Sequence, residues 1–327
     1  MVEIFNPKTA VSAGLTEFAP DSTAAGELVF FHASQGKPLA TPWQVALARS
    51  NLLKQLSLPE GYILDCACGS GIQLGAHMAL LQRPGIGVEL DRMRAQASAV
   101  NLQSIAMYRN EMDTERMQKT RIIAGDGRDG ATVCAAIADH LELEQFPNIA
   151  LLHLDPARPR NRRTHGLEEM EPRLDGVFKG GAPYLTEGEN GPALLLDLSP
   201  RLTHDQRLEV ETMVDAVWKG IRRTWVWTSR GRGRVDRLAL WLGGAATAGV
   251  ARRFVRIPPA ITEEAHVVSG GMRIHSGDGL PTPVQSPPRR GERVSILDAA
   301  LVESGLADEW VKTVTKSERI SWSVCEG

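Results

Sequence analysis

Four acidic residues close four successive apolar runs: Asp65 after "YIL", Glu89 in "GIGVEL", Asp126 after "RIIAG" and Asp155 after "IALLHL". Carboxylates so placed accept hydrogen bonds from hydroxyls and amines, and as a group they repel a pyrophosphate, which is itself anionic. Between the first two lies "ILDCACGSGIQLG", with Gly69, Gly71 and Gly75 leading into a helical pattern. Glycines let such a turn take positive φ and approach a ligand closely, and the helix N-terminus presents unpaired N–H groups. Alone, this run is equally a tight strand-to-helix turn with no ligand. The acids that follow favour a ligand: Glu89 ends the next strand, where an acidic side chain can accept both hydroxyls of a ribose. The set suits a cofactor with a ribose, an adenine and a cationic amino-acid portion.

The elements that must hold these residues alternate between β-rich runs and helical patterns, the signature of βαβ units and a mostly parallel sheet. Strands are predicted over 62–67, 85–90, 121–125, 149–155, 193–199, 224–229 and 236–243, the first five parallel with helical crossovers. The last two are separated only by "RGRGRV", too short for a crossover helix, so they form an antiparallel hairpin. Upstream, "TPWQVALARSNLLKQLSL" places a Thr-Pro pair at an N-cap and first helical position and then shows helical apolar spacing, for a helix that packs on the sheet edge or roofs the pocket. After about residue 248 prolines and glycines thicken, around one extended segment, "EAHVVSGGMRI", and one helix, "ILDAALVESGLADEWVKTV"; the Pro-rich loop near 280–290 is expected to be mobile. The expected organisation is an N-terminal helical extension over 1–58, an α/β domain over 59–247 and a small α+β domain over 248–327.

A chain of 327 residues accommodates one large domain and a smaller one. Its apolar fraction of 43% contains no uninterrupted run long enough to span a membrane. The first residues, "MVEIFNPKTAVSAG", carry neither a basic n-region nor an apolar h-region, and a cytoplasmic location is expected. Four cysteines with no CxxC pair and no zinc-like spacing argue against a disulfide framework or a structural metal. With a net charge of −2, any acidic partner is met by local patches rather than by the molecule as a whole. Such patches occur at Arg158 to Arg163, at 222–237, at 252–256 and at 289–293, all dominated by arginine, whose fork suits phosphate contacts and stacking on bases. The alternative is that these arginines are ordinary solvated faces.

Together, the glycine loop, the acids at successive strand ends and the terminal hairpin resemble a class I S-adenosylmethionine-dependent methyltransferase over roughly residues 60–245. The resemblance implies a Rossmann-like, mostly parallel seven-stranded sheet with a terminal antiparallel hairpin strand, and S-adenosyl-L-methionine as cofactor. Carried over by position, Asp65, Gly69 and Gly71 hold the methionine portion, Glu89 takes the ribose and Asp126 reaches the adenine amino group; Cys66, Ala67, Leu90, Gly127 and Asp155 complete the cofactor-binding set. Ala67 stands where the family pattern usually has glycine, which is tolerable if that residue does not need positive φ. An NAD(P)-dependent oxidoreductase is the alternative for this half, disfavoured by the acid heading the glycine loop and by the lack of an obvious hydride-transfer set.

In such enzymes the residues after the fourth strand face the methyl group and the acceptor. Here they are Asp155-Pro156-Ala157-Arg158, so that Asp155, Pro156 and Arg158 form the catalytic set, with Arg158 where base-amino methylases carry a stacking aromatic. Asp155 is expected to orient an N–H or act as general base, or else simply to pair with Arg158 or Arg160. This run, the Ser199-Pro200 pair after "LLLDL" and the tail also resemble methyltransferases that end in a THUMP-like domain, which implies an RNA acceptor, tRNA or rRNA, gripped by the arginine clusters. A protein or small-molecule acceptor, transfer of an aminocarboxypropyl group, and a catalytically silent RNA-binding scaffold remain open alternatives, and the oligomeric state is not readable. Cys66 and Cys68 have no base nearby, so covalent catalysis is not expected. His153 is expected to lie in the core, and Trp225, Trp227 and Trp241 to pack.

Overall fold

A computed structural model describes residues 2–18, 28–33, 40–108, 114–158, 166–231, 233–271, 290–291 and 296–314. Its strands are β1 (Glu3–Phe5), β2 (Thr16–Phe18), β3 (Phe30–His32), β4 (Tyr62–Asp65), β5 (Gly85–Glu89), β6 (Arg121–Ala124), β7 (Ile149–Leu154), β8 (Leu194–Leu198), β9 (Arg223–Ser229), β10 (Arg237–Leu242), β11 (Arg252–Arg256) and β12 (His266–Gly270). The helices are α1 (Trp43–Lys54), α2 (Ile72–Leu81), α3 (Arg92–Tyr108), α4 (Thr114–Lys119), α5 (Gly130–His140), α6 (Leu174–Gly181), α7 (His204–Asp215), α8 (Ala299–Glu303) and α9 (Ala307–Val314). All seven strands expected from the apolar alternation form, each within two residues of its expected bounds.

Ten strands share one sheet in the order β1-β6-β5-β4-β7-β8-β10-β9-β11-β12. From β6 to β8 the pairing is parallel, and β10 runs antiparallel to both β8 and β9. The stretch β6-β5-β4-β7-β8-β10-β9 is the strand order of the Rossmann-like class I methyltransferase fold. Here the hairpin does not end the sheet. β11 adds parallel to β9 and β12 antiparallel to β11, while β1 caps the other edge antiparallel to β6. Edge backbone groups of β9 and β6 are thereby paired, which a sequence reading by alternation alone does not foresee because three- and five-residue strands carry almost no periodicity.

Helices cover both faces. Against one lie α1, α2 and α3, whose Trp43, Leu53, Leu74, Met78 and Ile105 pack on Ile63, Leu151, Leu195 and Trp241. Against the other lie α5, α6, α7 and α8, whose Ile137, Phe178, Val210 and Leu301 pack on Leu64, Leu152, Leu196 and Leu240. Adjacent strand positions belong to opposite clusters, as the two-residue period of a strand requires.

Three expectations are corrected. Thr41 does not cap α1: Pro42 is the N-cap and offers no side-chain cap, while the Thr41 hydroxyl accepts from Arg237 Nη2 at 2.9 Å. The long C-terminal helix is two, broken after Ser304 where Gly305 takes φ +67°, a left-handed turn that ends α8. The N-terminal region is not helical alone, since β1, β2 and β3 precede α1. The Pro-rich 280–290 loop lies outside the described residues, except for Arg290. Among those residues no helix is long and apolar enough to cross a membrane.

Trp241 is fully buried in β10, with the Arg253 guanidinium over its ring at 5.8 Å. Trp241→Ala is expected to cost about 3–5 kcal/mol, read as a lower urea midpoint at unchanged m-value. A loss below about 1 kcal/mol would contradict this packing.

Candidate active site

The glycine loop is built by local necessity. Gly71 is the N-cap of α2 with φ +72°, and a Cβ there would meet Ser98 Oγ at 2.4 Å, so glycine is required by conformation and by space. Asn101 of α3 ties the loop to the N-terminal region: its Nδ2 donates to the carbonyls of Ser70 (2.7 Å) and Phe31 (3.0 Å), and its Oδ1 accepts from Phe31 N at 2.7 Å. The loop after β6 closes on the loop after β4 so tightly that a Cβ on Gly127 would lie 2.0 Å from the Cys66 carbonyl oxygen. That approach brings the ends of β4, β5 and β6 together at the carboxyl edge of the sheet, near where the strand order switches direction.

Glu89 is 9% exposed, and its two oxygens accept from Gly69 N and Asp91 N, each at 3.1 Å. Burial pushes its carboxyl upward, opposed by these N–H groups and by Arg94. Each oxygen has a further lone pair for a hydroxyl donor. Leu90, next to it, is 78% exposed, an apolar side chain with nothing over it. Asp126 ends β6 and is held by Arg128, which donates from Nε and Nη2 and from its backbone N. The hydrogen bonds from Arg128 hold its carboxyl below the usual range, against weak desolvation; both side chains are over a third exposed, so the pair is readily exchanged for another donor.

Asp65 is different from what its position suggests. It is 1% exposed and turned under the loop, where Oδ1 accepts from Ala67 N at 3.2 Å and Oδ2 bonds His153 Nδ1 at 2.8 Å. His153 Nε2 in turn meets Asp197 Oδ2 at 3.2 Å, and Asp197 is gripped by Arg49 of α1 through Nη1 (2.6 Å) and Nη2 (2.7 Å). Strand register explains the row: Asp65 lies directly across from His153, and Asp197 has the parity of Leu195, which pairs His153, so all three project toward α1 and α2. Burial alone would discharge His153, but the Asp65 charge and the hydrogen bonds to Asp197 and Asp65 outweigh it and hold its pKa up at about 9. Burial also opposes ionisation of Asp197, yet Arg49 first and His153 next hold its carboxyl far below the usual range.

The row continues into a neutral network. Arg49 donates to Gln73 Oε1 at 3.1 Å, which leaves Gln73 Nε2 to donate to His77 Nε2 (3.1 Å) and the Ala46 carbonyl (3.4 Å). His77 Nδ1–H then donates to Ser50 Oγ at 2.9 Å, and Ser50 to the Ala46 carbonyl at 2.8 Å. Burial, then the charges of His153 and Arg49, push the His77 pKa well down, in keeping with a neutral ring.

Past the end of β7, Asp155 has its side chain 26% exposed. Its Oδ1 accepts from Arg158 Nη2 at 2.9 Å and its Oδ2 from Arg237 Nη1 at 3.0 Å. A carboxylate bonded on both oxygens to guanidiniums is fixed in orientation. Pro156 is buried, and Ala157 makes a two-bond bridge with Glu171. Burial pushes the thiols of Cys66 and Cys68 far up and that of Cys134 to about 12, so none supplies a thiolate.

The structure thus brings Gly69, Gly71, Glu89, Leu90, Asp126 and Gly127 together at the ends of β4, β5 and β6, beside the backbone of Cys66 and Ala67. Asp155, Pro156 and Arg158 lie beyond β7, and the Asp65 side chain points below rather than in. The arginine patches are largely spent. Arg230 pairs with Asp236, Arg223 with Glu211 and Asp215, Arg256 with Asp298, and Arg253 is 8% exposed; residues 159–165, with Arg160, and Arg232 lie outside the described residues. Trp225 and Trp227 are buried, Trp225 donating from Nε1 to Glu211. Alternation-based reading missed Arg49, Ser50, Gln73, His77 and Asp197, although each is a polar residue at a core-facing position.

No family model and no curated protein matches the chain. Among solved structures it is similar to a protein from Porphyromonas gingivalis W83 described as a methyltransferase, at 16% identity and TM-score 0.49 over 84% of this chain and 58% of that one. It is similar also to a Listeria monocytogenes protein described as a class I S-adenosylmethionine-dependent methyltransferase (14% identity, TM-score 0.44, 70% and 69% of the two chains). A third is a Clostridium thermocellum protein described as an rRNA-methylase (10% identity, TM-score 0.36, 59% and 94%). The chain spans somewhat over half the length of the Porphyromonas protein.

The charged row has a pH signature. An imidazolium whose pKa is raised by folding lends stability that is complete below about pH 6.5, its unfolded value, and lost once pH passes about 9. Denaturant midpoints are therefore expected to fall between pH 6.5 and 9.5 in the wild type and to be nearly flat there in His153→Gln. A wild-type profile that is flat or rising contradicts the assignment.

Proposed function

We propose that this chain is an S-adenosylmethionine-dependent methyltransferase that acts on RNA. The observation that carries the cofactor reading is the half-buried rim at the end of β5, where Glu89 keeps lone pairs open beside Gly69 and Leu90 is left bare at the switch point of a class I methyltransferase sheet. The residues fit the group: a carboxylate for the ribose hydroxyls at Glu89, an apolar face for the adenine at Leu90, and an acceptor for its amine at Asp126. When bound, the cofactor supplies an electrophilic methyl group on a sulfonium.

The chain's own part is then positioning, which is the larger share of catalysis when the electrophile is already activated. The Gly69–Gly71 turn and Gly127 shape the floor. Asp155, fixed on both oxygens by Arg158 and Arg237, orients the acceptor. An RNA acceptor is supported by where the cations stand. Arg158, Arg201, Arg230, Arg234 and Arg237 all lie at the carboxyl edge around the ends of β7, β8, β9 and the start of β10, and the Arg234 side chain is 67% exposed. The pairing of Arg158, Arg230 and Arg237 with Asp155 and Asp236 favours the second reading, a protein or small-molecule acceptor.

Two measurements test this. Calorimetry with S-adenosylhomocysteine is expected to show binding by the wild type and a loss of roughly tenfold or more in Glu89→Ala; no binding by a folded wild type overturns the cofactor reading. Tritiated methyl transfer to total RNA is expected to give labelled nucleoside, with tRNA binding that weakens steeply with salt. Label found only in protein or small molecules replaces RNA with the second reading.

A further inference from the structure

Arg49 lies on α1, outside the crevice, with a side chain 4% exposed. An arginine in the middle of "ALARSNLL" interrupts an otherwise apolar stripe, and burying it is tolerable only if its charge is matched. The match is a line of alternating charge that runs from Arg49 to Asp197 on β8, His153 on β7 and Asp65 on β4, and ends at the Ala67 N–H inside the cofactor turn. Each link is a hydrogen bond of 2.6 to 3.2 Å, and every member side chain is at most 4% exposed.

We infer that Arg49 is a positioning residue for the cofactor loop, acting through Asp197, His153 and Asp65 to hold the Cys66–Gly69 turn in its binding shape. This rests on the cofactor reading above. With all four members in place the row is neutral, so Asp65 has one oxygen committed to His153 and the other free for Ala67 N–H. Remove Arg49, and two carboxylates share one imidazolium. The surplus negative charge has no counter-ion within the row, and in a site this dry it is relieved by taking up a proton on one carboxylate or by admitting water, either of which releases the turn. The groups that bear on His153 are Asp65 on β4, Asp197 on β8, Arg49 on α1 and the neutral His77 ring of α2, whose centroid is 5.6 Å away. Arg237 acts on Asp197 from β10, and Arg158 Nη2 lies 3.5 Å from the Asp197 carbonyl. Among the described residues none of these offers Asp197 a second bidentate partner.

The test uses the full chain as wild type, Arg49→Met and Arg49→Lys, with two readouts. Ring 15N shifts of His153 report protonation without any ligand; S-adenosylhomocysteine affinity by calorimetry between pH 6 and 8.5 reports the turn. His153 is expected to hold protons on both ring nitrogens through pH 8 in the wild type and in both variants. Wild-type affinity is expected to be flat from pH 6 to 8. Arg49→Met is expected to bind roughly tenfold more weakly at pH 8 and to recover part of that loss toward pH 6, as a proton replaces the missing cation; Arg49→Lys, which keeps the charge, lies close to the wild type. A loss in Arg49→Met that is the same at every pH, or is not rescued by lysine, overturns the inference, as does a His153 that titrates near its ordinary value. If the folded wild type binds no S-adenosylhomocysteine, the cofactor reading fails and the role of Arg49 toward the loop with it, whereas the His153 shifts still report whether the charged row exists. Should Arg49→Met not fold, Asp197→Asn in the Arg49→Met background removes both charges and is expected to restore folding; failure to do so counts against charge as the reason.

Discussion

Four charged side chains lie side by side under the Cys66–Gly69 turn, nearly out of reach of water, and the register of the strands that carry them is tied to keeping that row neutral. Charges in such surroundings persist only when each has a partner in good geometry. Asp65, His153 and Asp197 come from three neighbouring strands, and Arg49 from a helix that precedes all of them. A one-residue slip of β7 against β4 would turn His153 to the opposite face and leave Asp65 without its cation, with Arg49 alone to balance two carboxylates. The row therefore specifies strand register in the part of the sheet where register decides which side chains reach the crevice. It also fixes α1, an element outside the α/β repeat, against the sheet.

Above the row the polar groups are less tightly tied to other side chains. Glu89 is committed only to backbone N–H groups, Leu90 is bare, and Asp126 has an exposed partner that exchanges easily. Beyond β7 the opposite holds. Asp155 is bound on both oxygens, Arg237 also reaches Thr41 in the N-terminal region, and Arg158 reaches back to the Pro156 carbonyl. In the proposed reading the cofactor half is open and receptive, whereas the acceptor half is pre-set by ion pairs, so that orientation is supplied by groups that do not move during the reaction.

Much of this was legible in residue order. The seven strands and the acids at their ends follow from period and length, because a strand buried on both faces reads as an apolar run and its carboxyl end is where the run stops. The same alternation held the clue to the charged row: His153 in "LLHLD" and Asp197 in "LLLDL" sit at core-facing positions, as does Arg49 in its helical stripe. Each polar residue was visible, but their mutual contact was not, since it depends on register between strands far apart in sequence. Asp65 was placed at the crevice because its position in the chain is right; its rotamer, set by His153, turns it beneath. The edge strands β1 and β11 escaped because three to five residues give no dependable period, β12 was expected as an extended segment but not as part of the main sheet, and the fate of the arginines escaped because pairing with Asp155, Asp236 and Asp298 is tertiary.

If the ends of β4, β5 and β6 bind S-adenosylmethionine, a crystal structure of the full chain with S-adenosylhomocysteine will show ribose hydroxyls on the Glu89 carboxylate, the adenine against Leu90 with its amine at Asp126, the sulfur directed toward Asp155, and the Asp65 side chain still on His153. A ligand bound away from Glu89, or an Asp65 that leaves His153 to contact the ligand, would overturn that binding mode.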